Sequence, residues 1–589
     1  MARNKYDIDE ENVSSFQPYH IKRLLAYLAP HKKFVFIALI LMISASLVSL
    51  AAPFLIKQAI DIAIPSKDIG LLIQFALLLA SIVLLNAGGQ ALRIRLMTRI
   101  GQNVVLEIRS DLFRKLQLLP FTYFDSRPHG KILIRVVNYV NQLSDLISNG
   151  LITLITDLFT IIFILGFMII IDLRLTLICM AGLPIMILVV LLIKGLQHRA
   201  WQRVSHKQAN LNAYLHESLA GMRVTQSFAM QENAFSNMDR LGTDYRVNWF
   251  KAVMMNFAMW PIIDTISTLS VSLVYIAGVI WFSGSITVGT LVAFIGYIWR
   301  FWQPIQNIGN FYNSLVTAAA YLERIYELLD EPVLIENKSG AIDLPPIRGH
   351  VQFENVDFSY EKGHPVLYNL SFETKPGTTV AIVGPTGAGK TTIVNLLSRF
   401  YIPQDGKIYI DGIDIQTITI ASLRSQVGVM LQDSFLFSGT IMDNIRYGKL
   451  DASDEDIILA AKAVYAHDFI MALDNGYETV VSERGQSLSM GQRQLVAFAR
   501  VLLSDPRVLI LDEATSAVDT ETEIAIQAGI ANLLKGRTSF VIAHRLSTIR
   551  NANIIYHIED GRILEAGTHE ELLSLKGNYA RLYSKDTAM

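Results

Sequence analysis

Six apolar stretches, at residues 34–56, 71–91, 151–171, 175–193, 254–281 and 288–311, dominate the first half of the chain. Each is close to the ~20 residues an α-helix needs to cross the hydrocarbon of a bilayer. The third and fourth are separated only by Asp172, Leu173 and Arg174, which predicts a helical hairpin. Two long connections, between the second and third stretches and between the fourth and fifth, keep helical periodicity. About 20 further helical residues would carry a turn about 30 Å beyond the membrane. Residues 19–30, YHIKRLLAYLAP, are amphipathic and basic, the pattern of a helix lying at a membrane interface.

The pattern then changes. Residues 331–349 carry Pro332, Gly340, Pro345 and Pro346 without helical periodicity and read as a linker. Beyond them VQFENVDFSY and VLYNLSFET alternate apolar and polar at period two, as antiparallel strands do. The apolar runs TVAIVG and VLILD read as buried strands of an α/β core that begins at Thr379. The expected division is an N-terminal segment with the interfacial helix at 1–33, a six-helix membrane domain at 34–330, a linker at 331–349 and an α/β domain at 350–589.

Charge sets the orientation. Lys22, Arg23, Lys32 and Lys33 precede the first stretch, Arg99, Arg109, Arg114, Lys115, Arg127, Lys131 and Arg135 follow the second, and Arg199, Arg203, Lys207, Arg223 and Arg240 follow the fourth. The opposite loops offer little beyond Lys57, Lys67 and Arg174. Positive residues stay inside, so the N-terminus and the α/β domain are expected in the cytosol. Lys plus Arg number 51 against 52 Asp plus Glu, so no nucleic-acid partner is suggested. A mean hydropathy of +0.36 with 51% hydrophobic residues is high for a soluble protein and fits the apolar first half. The single cysteine, Cys179, excludes a disulfide framework and a cysteine-rich metal site. The polar, acidic N-terminus has neither a signal-peptide core nor transit character.

The candidate chemistry lies in the α/β part. Gly384, Pro385, Thr386, Gly387, Ala388, Gly389, Lys390 and Thr391 fit G-x-x-x-x-G-K-[ST], after a strand-like run and before the helical pattern opened by Thr391 and Thr392. Gly387 and Gly389 let backbone N–H groups turn toward an anion, Lys390 reaches the outer phosphates, and the Thr391 hydroxyl suits magnesium. The run VLILDE ends in two carboxylates at a strand's C-terminal edge, where ligands sit in an open α/β sheet. Beside a phosphate loop, Asp512 is expected to hold the magnesium shell and Glu513 to orient and deprotonate the attacking water.

LSMGQ at 488–492, LDEATSAVD at 511–519 and the lone His544 resemble the nucleotide-binding domain of an ATP-binding cassette (ABC) protein, and the first half resembles the membrane domain of ABC exporters. The resemblance covers the whole chain. It implies an all-α six-helix transmembrane domain with long intracellular helical extensions, followed by an α/β P-loop NTPase domain with a helical subdomain and an antiparallel β subdomain. It also implies ATP and Mg2+ as cofactors. Tyr360 matches the aromatic that stacks on adenine, Gln432 the glutamine that touches magnesium, Asp519 the loop between facing sites, and His544 the histidine at the γ-phosphate. Ser489, Gly491 and Gln492 match the segment that faces the ATP of a second subunit. Residues 121–130 and 216–228 resemble the two segments through which exporter membrane domains touch the ATPase.

The resemblance therefore implies a half-transporter in the plasma membrane, working with a second copy or a second half-transporter. It would export an amphiphilic substrate, drug or lipid-like, by alternating access. Met490 stands where the family usually has glycine, which leaves a homodimer and a heterodimer with one weakened ATP site both open. A specific lipid or peptide exporter is a further alternative. A soluble ABC ATPase would lack fused spans, and a gated channel would commonly lose Glu513. Polar residues within the stretches, Asn86, Gln90, Arg93, Asp264, Arg300 and Gln303, are costly in lipid and are expected to face a partner or a wet cavity. Trp299, Phe301 and Trp302 beside Arg300 suggest a mixed aromatic and cationic surface.

Overall fold

The computed structural model describes residues 18–281, 284–361, 363–430, 434–482, 485, 487–512, 520–542 and 549–587. It divides into two compact units. The described parts of the first are residues 18–114 and 133–330, and those of the second are residues 115–132 and 331–587.

The first unit is helical. Every expected apolar stretch lies on a helix: Lys32–Gln58, Ile69–Leu118, Ile152–Ile171, Leu173–Met180 continued by Gly182–Ala220, Gln231–Ile276 and Val288–Asp330. The hairpin between the third and fourth stretches has a local cause. Asp172 is in extended conformation and its carboxylate accepts from the Arg174 and Leu175 amides at 2.8 and 3.0 Å, capping the helix Leu173–Met180. Among the described residues, four helical segments are long and apolar enough to cross a membrane: Tyr19–Ala63, Ile69–Leu118, Ile152–Ile171 and Gln231–Ile280.

The other two stretches fall short for different reasons. The fourth gives a shorter apolar helical segment, Leu173–Val189. The sixth carries Arg300, Gln303 and Asn307, which lower its hydropathy, while its apolar residues pack in the centre of the unit. Its Phe294, Tyr297, Ile298, Phe301 and Trp302 are buried in one cluster with Leu50, Ile164, Leu175 and Ile263 from neighbouring helices. The Tyr297 hydroxyl donates to the Leu50 carbonyl at 2.8 Å. Phe301 and Trp302 thus belong to the core, whereas Trp299 is half-exposed, so the expected three-aromatic surface around Arg300 reduces to Trp299. Successive residues on a helix point about 100° apart, which separates them.

The helix Pro18–Leu28 is tied by its basic face. Arg23 makes a two-pronged contact with Asp330 at 2.5 and 2.9 Å, and its guanidinium lies 3.9 Å from the centre of the Tyr326 ring.

In the second unit a six-stranded sheet runs in the order Arg562–Gly567, Ile554–Glu559, Thr379–Val383, Thr538–Ile542, Val508–Asp512, Val427–Met430. All neighbours are parallel except the first pair. Alternate residues point to opposite faces, and each face has its own core. Val380, Ile382, Ile510 and Phe540 pack toward an antiparallel sheet of His364–Thr374, Val351–Glu361, Asp405–Ile410 and Ile413–Asp414. Ala381, Val383, Leu511 and Val541 pack toward a helical part that includes Ile441–Arg446, Asp454–Ala463 and Met490–Ser504. The expected antiparallel pair is present, with Val351 opposite Thr374.

The stretch expected as a linker is fastened to this unit. Leu344 and Ile347 are buried in the antiparallel-sheet core, and Gln426 accepts from the Ile347 amide and donates to the Leu344 carbonyl, both at 3.0 Å.

Candidate active site

The phosphate loop joins the strand Thr379–Val383 to the helix Lys390–Leu397. Its glycines answer to specific constraints. Gly384 has φ +149°, and a Cβ there would meet the Ile558 carbonyl oxygen at 2.0 Å. Gly389 caps the helix in left-handed conformation at φ +102°, against Leu367. Pro385, Thr386, Gly387 and Thr391 are exposed along the loop, while Ala388, Lys390 and Thr392 are buried. Unsatisfied amides at the start of a helix make such a loop an anion site.

The Lys390 ammonium donates to the Gly384 and Pro385 carbonyls at 2.7 and 3.0 Å. Burial pushes it below the ordinary lysine range, and the Asp512 carboxylate opposes that shift. A buried cation hydrogen-bonded to carbonyls gains further from a charged acceptor, which a phosphate oxygen supplies. Asp512 ends the strand Val508–Asp512, separated from Thr379–Val383 by Thr538–Ile542. Parallel pairing therefore brings Lys390 and Asp512 to the same edge of the sheet.

Tyr360, near the end of Val351–Glu361, is 39% exposed, and its hydroxyl lies 3.2 Å from Thr392 Oγ1 on the phosphate-loop helix. Its ring meets Phe358 and Tyr401 edge-on at 4.8 and 5.0 Å, leaving a partly open aromatic surface beside the loop.

Ser489, Gly491 and Gln492 belong to a different helix start. Ser489 caps Met490–Ser504 by accepting from the Gln492 amide at 3.2 Å, and the Gln492 side chain accepts from the Ser489 amide at 2.9 Å. Gly491 is buried, and Met490 is 48% exposed. Gln432, Glu513, Asp519 and His544 lie outside the described residues. The strands preceding Gln432, Glu513 and His544, which are Val427–Met430, Val508–Asp512 and Thr538–Ile542, are parallel neighbours, so the chain leaves the sheet at one edge before each.

One residue that the sequence did not single out, Tyr401, adjoins the site. Tyr401, packed against Tyr360, donates its hydroxyl to Asp125 on the short helix Phe121–Asp125. Phe121 of that helix lies 4.7 Å from Phe400, and the Arg424 guanidinium lies 4.8 Å from the same ring. The segment expected to be the first coupling element thus packs within the nucleotide unit. The polar residues of the apolar stretches also converge: Asn86, Gln90, Arg93, Arg300 and Gln303 line one cavity of about 470 Å³ in the helical unit. Asp264 is exposed and is not among its lining residues.

Comparison with known proteins identifies the family. Residues 35–304 match the ABC transporter transmembrane region, and residues 367–516 match the ABC transporter family model. The ABC transporter ATP-binding protein YknV of Bacillus subtilis (strain 168) is 41% identical over 99% of this chain and 97% of its own length. The fatty acid ABC transporter ATP-binding/permease protein of Mycobacterium tuberculosis (strain CDC 1551 / Oshkosh) is 39% identical over 89% of this chain and 82% of its own. The ATP-bound structure of a bacterial Atm1-family ABC exporter superposes with a TM-score of 0.78 at 30% identity, covering 95% of this chain and 99% of that one. The chain belongs to the ABC transporter family, among the exporters that join a membrane domain and an ATP-hydrolysing domain in one polypeptide.

Proposed function

We propose that this chain is one half of a dimeric exporter that moves an amphiphilic molecule, drug-like or lipid-like, across the plasma membrane by alternating access. The observation that carries the reading is the approach of Lys390 and Asp512 at one sheet edge, on a chain whose other unit is made of membrane-length helices. The fatty acid transporter among its relatives supports a lipid-like cargo. Residues 34–330 form the membrane domain behind the interfacial segment 1–33, residues 331–349 the link, and residues 350–589 the ATPase. The bias of Lys and Arg supports an N-terminus and ATPase in the cytosol.

At the site, Tyr360 stacks on adenine, and the amides of Gly387, Ala388 and Gly389 with the Lys390 ammonium hold phosphate. The Thr391 hydroxyl and the Asp512 carboxylate, with Gln432, are hard oxygen donors that suit Mg2+, which when bound supplies charge neutralisation at the phosphates. Glu513 takes the proton of the attacking water, His544 contacts the γ-phosphate, and Asp519 lies between the facing sites. Ser489, Gly491 and Gln492 of a second copy close each site. The exposed apolar tip of the other extension, with Leu219, Val224, Phe228 and Phe235, supports a second subunit as its neighbour. Ser489, Gly491 and Gln492 are all retained around Met490, and the cap they build is intact, so we read the pair as a homodimer.

The test is ATP turnover by this chain purified alone in lipid nanodiscs, beside Glu513→Gln. We expect robust turnover from the wild type. The variant should keep ATP binding with turnover lowered by roughly 100-fold or more, as for loss of a general base. Wild-type turnover in the variant refutes the assignment. A silent homodimer rescued by a half-transporter lacking the glutamate would replace it with the heterodimer.

A further inference from the structure

The helical unit holds a cavity of about 470 Å³ between the helices Lys32–Gln58, Ile69–Leu118, Ile152–Ile171 and Val288–Asp330. Arg93, Arg300, Asp157, Asn86, Gln90 and Gln303 give it a polar wall, at the level of stretches otherwise suited to hydrocarbon. Asp157 also lines a second cavity of about 520 Å³, so it stands at the junction of the two.

The wall is incompletely satisfied. Asp157 is 8% exposed; its carboxylate accepts from Asn307 and faces the charge of Arg93, but its Oδ2 is buried with no hydrogen-bond partner among the described residues. Arg93 Nε is buried and likewise has no hydrogen-bond partner among the described residues. Arg300 sends Nη1 to the Ser49 carbonyl and is otherwise exposed toward the space. Each unmet polar group in a membrane interior costs free energy, and a wall with more guanidiniums than carboxylates can offset that cost by taking an anion. Two guanidiniums against one carboxylate leave the wall with a net positive charge. Met42, Leu50 and Trp299 supply apolar surface at the same place.

We propose that this cavity is the headgroup subsite for an amphiphile with an acidic head, a carboxylate or a phosphate, bound through Arg93 and Arg300. Guanidinium presents a planar fork of donors that matches both acids. Asp157 lowers the affinity of the pocket for anions and keeps Arg93 from being an unopposed buried charge. The proposal rests on the exporter reading and adds to it the sign of the cargo.

The experiment uses the full chain in nanodiscs of uncharged-average, zwitterionic lipid, without nucleotide. Four probes with one oleyl or oleoyl tail are titrated by calorimetry against empty nanodiscs: oleate, oleoyl lysophosphatidate, monoolein and oleyltrimethylammonium. Oleate or lysophosphatidate should bind tightest, and which of them leads tells carboxylate from phosphate. Arg93→Gln and Arg300→Gln should each weaken acid binding about tenfold, the size expected for one charge-assisted contact, with monoolein unmoved. Asp157→Asn should tighten acid binding, which a misfolded chain cannot do. Tighter binding of the ammonium probe, equal binding of all four heads, or loss of acid binding in Asp157→Asn as well would overturn the proposal. Because ATP is absent, a chain without turnover still reports on the pocket. A chain with normal turnover and no head preference leaves the exporter reading standing and removes this one.

Discussion

Tyr401→Phe deletes a single hydroxyl and leaves a ring of the same shape against Tyr360 and Phe358. That hydroxyl is the donor to Asp125, and burial followed by the neighbouring carboxylate pushes its pKa far above the ordinary tyrosine range, so it remains a donor at any working pH. A hydrogen bond to a charged group contributes ~1.5–3 kcal/mol. Asp125 reaches solvent, which places this one at the low end, about 1.5 kcal/mol or roughly tenfold in an opening equilibrium. Amides of the short helix, such as Tyr123 bonded to the Pro120 carbonyl and Ser126 to that of Thr122, report on that opening. Hydrogen exchange of the peptide around residues 119–130 in the full chain should lose about tenfold protection in Tyr401→Phe. Asp125→Asn keeps an acceptor without charge and should lose about half as much in free energy. The double variant should be far from additive, since both changes break one contact. Exchange within twofold of wild type in Tyr401→Phe would refute the claim that this bond holds the helix to the nucleotide unit.

Tyr360→Ala should weaken ATP and GTP alike, because a ring face does not read a base edge. Tyr360→Phe, losing only the 3.2 Å contact with Thr392, should change nucleotide affinity by no more than about threefold in a binding titration. Gly384→Ala forces a methyl toward the Ile558 carbonyl at positive φ, so ATP binding should be lost and stability should fall by ~1–3 kcal/mol or more in urea titration. His557 is buried on the strand Ile554–Glu559, and burial lowers its pKa. The unfolded chain then takes the proton first. Its contribution is fully present above the ordinary value of about 6.5 and is lost as pH falls below it. The urea midpoint should therefore drop between pH 7.5 and 5.5, and His557→Gln should flatten that drop.

What could be read from the sequence was local. The loop from Gly384 to Lys390 depends on a strand, a turn and a helix that are consecutive in the chain, so its residues could be placed before any contact was known. The turn at Asp172 to Arg174 and the two alternating segments VQFENVDFSY and VLYNLSFET are local in the same sense. Tyr401 and Asp125 lie 276 positions apart, and nothing in the flanking residues of either announces the other. The cavity was half legible. Arg93 and Arg300 stand out as cations in apolar stretches, but Asp157 did not, although a lone carboxylate in a 20-residue apolar helix is the same kind of signal. Trp302 and Phe301 were misplaced because sequence adjacency hides the turn of the helix between them and Trp299.

Ser489 and Gln492 spend their side chains on each other's amides at the start of Met490–Ser504, while Met490 between them points outward. For heredity this makes an uneven triplet. A codon change at 489 or 492 removes half of a reciprocal pair, frays the helix and damages any nucleotide contact at once, so a genetic screen would score it as null for two reasons it could not separate. Drift should instead accumulate at 490, where a side chain can change without cost to the fold. Sequence differences between lineages should therefore gather at 490 before they reach 489 or 492.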